Sequence, residues 1–283
     1  MLKKARKRLQ SARLLRSVTK ALLRGEDARS LLAQSAHVST AIAVAKAFGQ
    51  LHENVGFPDY ERLLSRGYRR FLRPGDVVFD VGAHTGQHLE QFLDLVGPSG
   101  RAVAFEPIPA LADVLARKFS GRTNVEIRNI ALGHKPGSAS FVVLHNALGM
   151  SGFKKRADNS DQRAETIVVH VDTLDRQAAG LSHLDYIKMD IEGAEISCLR
   201  GSGQTVARYR PLISVEYGMP GYSLFGHTAM TLFEWASEHR YIPSDLFGNL
   251  IPRATEWVIV CDYSLWDFFL VPEERAQEWA SLF

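Results

Sequence analysis

The chain has 283 residues, of which 46% are apolar and 23% are charged, and its formal net charge is +3. This composition is that of an ordinary globular protein and excludes a disordered, collagen-like or coiled-coil chain. The only two cysteines are Cys198 and Cys261, which excludes a disulfide scaffold and any metal site built from thiolates alone. No apolar run reaches the roughly 18 residues of a transmembrane helix and no secretory signal is recognisable, so we expect a cytoplasmic protein.

The first 24 residues carry nine Lys or Arg side chains and no acidic one, whereas the remainder has 25 basic and 31 acidic residues. Their leucines and alanines recur at three- and four-residue spacing, which predicts a basic amphipathic helix. Such a helix either makes weak contact with an anionic membrane surface, at the inner membrane face, or packs its leucines on the body of the protein. Because the body is acidic, we expect no specific nucleic-acid partner.

Residues 1–70 are predicted to form a helical N-terminal extension, and residues 71–283 one α/β domain. From residue 76 onward, short apolar strands alternate with helical segments, which is typical of βαβ units and a parallel sheet. The predicted parallel strands are residues 77–81, 102–106, 125–130, 186–190 and 212–216.

Two strand-like segments, residues 139–144 and 166–171, interrupt this alternation and predict a β-hairpin beside the main sheet. The polar stretch that joins them, residues 144–165, is a candidate lid over the site. The elements predicted after the last parallel strand are a helix at residues 228–239 and strands at residues 256–261 and 268–271.

Acidic side chains stand at the carboxyl ends of four of the five parallel strands, where ligands bind in an open parallel sheet. The first strand carries Asp80 and leads through Gly82 and Gly86 into a helix, so the glycines permit a tight turn and the close approach of a ligand. Their spacing differs from that of the dinucleotide-binding fingerprint. A carboxylate beside this loop repels a diphosphate and attracts a cation such as an ammonium or sulfonium group.

Glu106 ends the next strand, where a carboxylate can accept hydrogen bonds from both hydroxyls of a ribose. Together with the acidic glycine loop, it predicts a site for a nucleoside that carries a positively charged amino-acid tail. An acid at a strand end can also serve only as a helix N-cap, so this signal is weak when taken alone.

Several segments of the chain resemble the FkbM-type S-adenosylmethionine-dependent methyltransferases. The most specific is Tyr-Ile-Lys-Met-Asp-Ile-Glu-Gly-Ala-Glu at residues 186–195, and the others are residues 78–86, 104–107, 129–133 and 171–175. The resemblance implies a Rossmann-like class I methyltransferase fold, with a doubly wound, mostly parallel sheet of seven strands. His84 is a departure, because the family more often has Asn at this position.

Carried over residue by residue, the resemblance implies S-adenosylmethionine as the cofactor. The loop of residues 80–86 would surround its methionine part, Glu106 would hold its ribose, and residues 129–131 would border its adenine. The cofactor-binding residues implied in this way are Asp80, Gly82, Ala83, His84, Gly86, Glu106, Pro107, Asn129, Ile130 and Ala131.

The resemblance also implies O-methylation of a hydroxyl on a sugar, a glycan, a lipid-linked or a polyketide-type acceptor. A hydroxyl acceptor requires alignment with the methyl group and a base that removes its proton. Asp190 is our first candidate base because it ends the central strand, and Glu192 and Glu216 are the further candidate catalytic residues. Glu195 either faces the site or stabilises the first turn of the next helix.

Three other interpretations remain open from the sequence. Asp190 and Glu216 could hold a divalent metal that orients the acceptor, although we favour no metal. A nicotinamide-dependent oxidoreductase or epimerase also uses an acid after its second strand, but it needs the glycine fingerprint that is missing here. A non-catalytic binding module would use the basic residues 1–24.

Overall fold

The computed structural model describes residues 39–55, 59–154, 163–261 and 266–283. The amphipathic helix expected within residues 1–24 lies outside the described residues. The longer helices are α1 (Thr40–Val55), α2 (Tyr60–Phe71), α3 (Gln87–Val96), α4 (Pro109–Lys118), α5 (Leu174–Gln177), α6 (Glu195–Arg200), α7 (Gly203–Tyr209), α8 (Met219–Tyr222), α9 (Ala229–Glu238), α10 (Ala254–Cys261) and α11 (Ala276–Ser281). The strands are β1 (Val77–Val81), β2 (Arg101–Phe105), β3 (Val125–Arg128), β4 (Ala131–Leu132), β5 (Gly137–Leu144), β6 (Ala164–Asp172), β7 (Tyr186–Met189), β8 (Leu212–Glu216), β9 (Tyr241–Ser244) and β10 (Asp267–Pro272).

Seven strands form the main sheet in the order β3-β2-β1-β7-β8-β10-β9. The first five strands in this order, β3, β2, β1, β7 and β8, are parallel to one another. Strand β10 is antiparallel to both of its neighbours. The chain leaves the sheet after β3 and re-enters it on the other side of β1, so the order reverses between β1 and β7. Ligands bind at such a reversal, beyond the carboxyl ends of the strands. The structure therefore confirms the predicted α/β fold with a mostly parallel, seven-stranded sheet.

The predicted hairpin is also confirmed. Strands β5 and β6 pair in antiparallel over their whole length, and with β4 they form a second, three-stranded sheet in the order β4-β6-β5. One face of this sheet buries Phe141, Val143, Val169 and Val171, because alternate residues of a strand point to the same side. That face packs on the loop that follows β2, beside the cavity described below.

Residues 256–261 form part of helix α10, so the prediction of a strand there is wrong. The apolar run Trp257-Val258-Ile259-Val260-Cys261 suits either structure, because a short buried run does not reveal its own period. In the structure Trp257, Val260 and Cys261 are buried and Val258 is 39% exposed, which is the spacing of a helix. The seventh strand is instead β9, which the sequence analysis did not identify; its Pro243 is tolerated because β9 lies at the sheet edge.

The end of the third strand also differs from the prediction. The third strand ends at Arg128 and not at Ile130, because the chain leaves the main sheet there and pairs in the second sheet from Ala131. Helices α1 and α2, from the predicted N-terminal extension, share one apolar core with the main sheet through residues such as Phe48 and Tyr68. The boundary between residues 70 and 71 stays a prediction. Within the part of the chain that is described, no helix has the length and apolarity needed to span a membrane.

Candidate active site

A cavity of about 340 Å³ opens at the carboxyl ends of the central strands, where the strand order reverses. It brings together residues that are far apart in the sequence, from the glycine loop after β1, the loop after β2, and the ends of β7 and β8. The predicted site residues that line it are Asp80, Gly82, Ala83, His84, Glu106, Pro107, Ile130, Ala131, Asp190, Glu192 and Glu216.

Asp80 lies in β1 directly beneath the glycine loop and is 1% exposed. Among the described residues, neither oxygen of its carboxylate has a hydrogen-bond partner. Burial raises the pKa of Asp80, an effect that the nearby ammonium of Lys188 only partly opposes. A buried carboxylate without partners is costly, so a ligand that supplies a positive charge or hydrogen-bond donors would stabilise it.

The loop after β1 depends on two glycines. Gly82 has φ +83° and its N–H donates to the carbonyl of Phe105, and a Cβ at this position would collide with the carbonyl oxygen of Asp190. The loop therefore packs directly against the main chain that carries the candidate base. Gly86 has φ +78° and precedes α3; it does not line the cavity, and a Cβ there would meet Leu115 at 2.7 Å.

Glu106 is 4% exposed and lies opposite the glycine loop. Its two carboxylate oxygens accept hydrogen bonds from the backbone N–H groups of His84 and Ile108, each at 2.9 Å. These bonds orient the carboxylate and tie the first loop to the second, and each oxygen keeps a second lone pair for a ligand. Burial raises the pKa of Glu106 to about 7, against the opposing effect of the two backbone hydrogen bonds.

Asn129 differs from its expected role beside adenine, because it does not line the cavity. Its side-chain amide donates to the carbonyl oxygens of Glu106 and Pro107, at 2.8 and 3.1 Å. Asn129 thus positions the loop that carries Glu106, while Ile130 and Ala131 line the cavity beside it.

The raised pKa of Glu106 leads to a testable pH dependence. Its ionised form, present above about pH 7, accepts hydrogen bonds with both oxygens, whereas below that pH the added proton occupies an acceptor position. We expect the affinity for S-adenosylhomocysteine, measured by calorimetry, to fall by up to about tenfold per pH unit below pH 7. In Glu106→Gln we expect weaker binding at pH 8, by about 10- to 100-fold, and a flatter pH profile. Equal affinities of the two proteins at pH 8 would show that Glu106 does not hold the cofactor.

Three acidic side chains meet at the other side of the cavity. Carboxylate oxygens of Asp190, Glu192 and Glu216 lie within 4.8 Å of one another. The buried ammonium of Lys188 donates to Asp190 at 3.0 Å, and its side chain is 4% exposed, against 35% for that of Asp190. Lys188 was not among the predicted site residues, although a lone lysine in an apolar strand was a signal of a buried ion pair.

The charges of this cluster are divided unequally. Burial favours protonation of Asp190, but the charge and hydrogen bond of Lys188 hold the pKa of Asp190 below its usual range. Burial and the neighbouring negative charge of Asp190 hold the pKa of Glu216 well above its usual range. Within this pair, Asp190 is therefore the carboxyl that favours the ionised form and Glu216 the one that favours the protonated form, and the two are hydrogen-bonded to each other. An ionised carboxylate that is open to the cavity can accept a proton from a bound hydroxyl group.

Glu195 has a structural role. It is 1% exposed, and its carboxylate accepts from the backbone N–H groups of Ile191 and Gly193 at 3.1 and 3.0 Å. These bonds hold the turn that presents Asp190 and Glu192 to the cavity. Glu192 lies in this turn with φ +56°.

Among the further residues that line the cavity and were not predicted from the sequence, four lie far from the predicted motifs. They come from two elements distant in sequence, the first turn of α2 and the start of β10, and are Tyr60, Glu61, Trp266 and Asp267. Tyr60 and Trp266 stack with nearly parallel rings. Asp267 faces Glu216 across the β8–β10 pair, and burial raises its pKa to about 7. No local motif marks these residues, because only the packing of α2 and β10 brings them to the site.

The family model described as the methyltransferase FkbM domain matches residues 80–243, which is more than half of the chain. The 31-O-demethyl-FK506 methyltransferase FkbM of Streptomyces tacrolimicus is 28% identical over 185 aligned positions, which cover 53% of this chain and 70% of that protein. The 2-O-methyltransferase NoeI of Sinorhizobium fredii is 26% identical over 161 positions, which cover 51% of this chain and 64% of that protein.

A solved structure of methyltransferase FkbM from Methylobacillus flagellatus aligns with a TM-score of 0.47 and 15% identity, and the alignment covers 92% of this chain and 58% of that one. The domain matched by the family model begins at Asp80 of β1 and includes Glu106, Asp190 and Glu216. It therefore contains residues from both sides of the cavity. On this match, the chain belongs to the FkbM family of methyltransferases.

Proposed function

We propose that the protein transfers a methyl group from S-adenosylmethionine to a hydroxyl group of its acceptor. The observation that carries this proposal is the pair of unpartnered oxygens on buried Asp80, in one cavity with Glu106 and with the ionised Asp190. A cationic nucleoside suits the first two of these residues, and an acceptor hydroxyl suits the third.

The residues present fit the cofactor. Asp80 would offer its carboxylate to the positively charged end of the molecule, Glu106 its free lone pairs to the ribose hydroxyls, and the apolar Ile130 and Ala131 a surface for adenine. S-adenosylmethionine would supply a methyl group bound to a positively charged sulfur. This sulfur would leave readily because it becomes a neutral thioether. Gly82, Ala83 and His84 form the loop between these residues, and their close packing on Asp190 and Glu106 keeps the cofactor side next to the base.

Asp190 would accept the proton of the acceptor hydroxyl as the methyl group is transferred. Lys188 keeps it ionised, and the protonated Glu216 orients it through their hydrogen bond. Glu192 and Asp267 line the remainder of this acidic side and would accept hydrogen bonds from further hydroxyl groups of the acceptor. One relative is named a 31-O-demethyl-FK506 methyltransferase and another a 2-O-methyltransferase. Both names support oxygen as the acceptor atom. A sugar, glycan, lipid-linked or polyketide-type hydroxyl fits these features.

A divalent metal at Asp190, Glu192 and Glu216 is the second candidate for this cluster, because their oxygens lie close enough to share one ion. The ion pair with Lys188 argues against it, since the ammonium already neutralises one carboxylate and would repel a cation.

Calorimetry and a labelled methyl-transfer assay test the proposal together. We expect the purified protein to bind S-adenosylmethionine and S-adenosylhomocysteine, and to transfer label from the methyl group to an acceptor in a cell extract. Activity should survive dialysis against excess EDTA; its loss, with recovery on adding Mg²⁺, would favour the metal. Stabilisation against heat by NAD in place of S-adenosylhomocysteine would instead favour an oxidoreductase.

A further inference from the structure

Helix α2 lies outside the matched methyltransferase domain, yet its first turn forms part of the cavity wall. The helix begins at its N-cap Asp59, whose side chain accepts from the N–H of Arg62 at 2.9 Å. Tyr60 and Glu61 follow directly and line the cavity. The rest of the helix is anchored in the core, where Leu64 and Tyr68 are buried, so the position of its first turn is determined by packing.

Glu61 is held by a hydrogen-bonded chain that continues into the protein. Its carboxylate is bonded to Nε2 of His88, and Nδ1 of His88 is 3.0 Å from the hydroxyl of Tyr68. His88 is 7% exposed and Tyr68 is fully buried, whereas the side chain of Glu61 is 54% exposed. The hydrogen bond from His88 is the main cause that lowers the pKa of Glu61. Glu61 is thus an ionised carboxylate of fixed orientation with an open side.

The charges around this end of the cavity are not balanced. Glu61 is close enough to Asp80 that its negative charge contributes to the raised pKa of Asp80. The cation near both is Lys188, whose ammonium donates to Asp190. Two further titratable groups act on the pKa of Asp80: His88 of α3 lowers it and Asp190 raises it. Asp80 is buried with both oxygens unpartnered among the described residues, so a positively charged group at this end of the cavity would stabilise it.

We propose that Glu61 of α2, together with Asp80 of β1, binds the ammonium group at the amino-acid end of the cofactor. His88 and Tyr68 are positioning residues, because they touch Glu61 or each other and hold its carboxylate toward the cavity. The inference rests on the proposed function, and it extends the cofactor site beyond the family domain to a helix that the domain match does not include. It also explains why a histidine occupies the first turn of α3: His88 connects that helix to α2.

The test compares two ligands that differ in this end alone. S-adenosylhomocysteine carries the amino-acid tail, whereas 5′-methylthioadenosine has the same nucleoside and a thioether but neither the ammonium nor the carboxylate group of that tail. We expect Glu61→Gln to weaken the binding of S-adenosylhomocysteine by about tenfold and to change that of 5′-methylthioadenosine by less than about twofold. The weaker ligand is measured by displacement of labelled S-adenosylhomocysteine.

A second variant and a control keep the result interpretable. Tyr68→Phe removes the hydroxyl that orients His88. We expect this variant also to weaken the binding of S-adenosylhomocysteine more than that of 5′-methylthioadenosine, but by less than Glu61→Gln does. Glu90→Gln, on the exposed side of α3 and paired with Lys118, should leave both affinities unchanged. Thermal melting of each variant reports whether it is folded.

The possible outcomes are distinct. Equal losses for both ligands in Glu61→Gln, or no loss for either, would overturn the assignment of Glu61 to the ammonium group. An unchanged affinity for S-adenosylhomocysteine with a raised acceptor KM would place Glu61 on the acceptor side, and would also overturn it. Failure of the unaltered protein to bind either ligand would contradict the proposed function itself.

Discussion

Asp190→Asn is expected to lower kcat for methyl transfer by about 10²- to 10⁴-fold, which is the usual contribution of a general base. The amide cannot take up the proton of the acceptor hydroxyl, although it keeps the shape of the side chain and can still accept a hydrogen bond from Lys188. Asp80 and Glu106 keep their side chains in this variant, so the Kd of S-adenosylhomocysteine should stay within about threefold of the original value. The two measurements therefore separate catalysis from cofactor binding.

The matched control is Asp113→Asn, which makes the same chemical change at an exposed position of α4 that does not line the cavity. It should leave both kcat and Kd unchanged. Asp190→Asn also removes the ionic partner of the buried Lys188, so its melting temperature is expected to fall, and activity is compared at a temperature where both proteins are folded. A kcat within fivefold of the original would mean that Asp190 is not the group that removes the proton.

Gly82→Ala is expected to have the largest effect on stability, with a loss of about 4 kcal/mol or more in the free energy of unfolding. Gly82 has φ +83°, a conformation that costs an alanine about 1 to 2 kcal/mol. The added Cβ would in addition collide with the carbonyl oxygen of Asp190, which is main chain and cannot rotate away. Either β1 and β7 separate at their carboxyl ends, or the loop changes its path, and both distort the cavity.

The control for backbone strain alone is Gly97→Ala. Gly97 also has a positive φ, +64° with ψ −171°, a conformation almost restricted to glycine, but a Cβ there would have no atom within 4 Å. We expect a loss of about 1 to 3 kcal/mol from this strain and normal binding of S-adenosylhomocysteine. Chemical denaturation of the two variants measures both losses. Equal losses for Gly82→Ala and Gly97→Ala would show that the contact between the glycine loop and Asp190 has no energetic importance.

Much of the site could be predicted because it lies in short segments whose chemistry is local. The acidic strand end at Asp80, its glycine loop and the Asp190-Ile191-Glu192 segment each combine a buried strand with polar residues at its carboxyl end, and parallel strands bring such ends to one edge. Asp190 and Glu192 accordingly line the cavity together with Asp80. Gly86 and Asn129 were predicted to contact the ligand, but they lie outside the cavity and support the loops that line it. The sequence pattern of a segment does not distinguish a residue that contacts a ligand from one that supports the loop.

The helix α10 shows a different limit. Its apolar run has no polar alternation, so the period of burial appears only when α9 and α1 pack against Trp257 and Val260. The edge strand β9 is short and contains Pro243, features that weaken any strand prediction, and its pairing with β10 determines its structure.

The amino-acid sequence by itself determined the alternation of strands and helices, the glycine loop, and the acids at the strand ends, because each depends on neighbouring residues. Only the tertiary structure decided the balance of charge among these acids, through the burial of Lys188 against Asp190 and of Asp190 beside Glu216. It also decided that Glu61 and Asp267, from opposite ends of the chain, belong to the same cavity. Charge, burial and distance between such residues arise from packing over long sequence separations, and no local pattern contains that information.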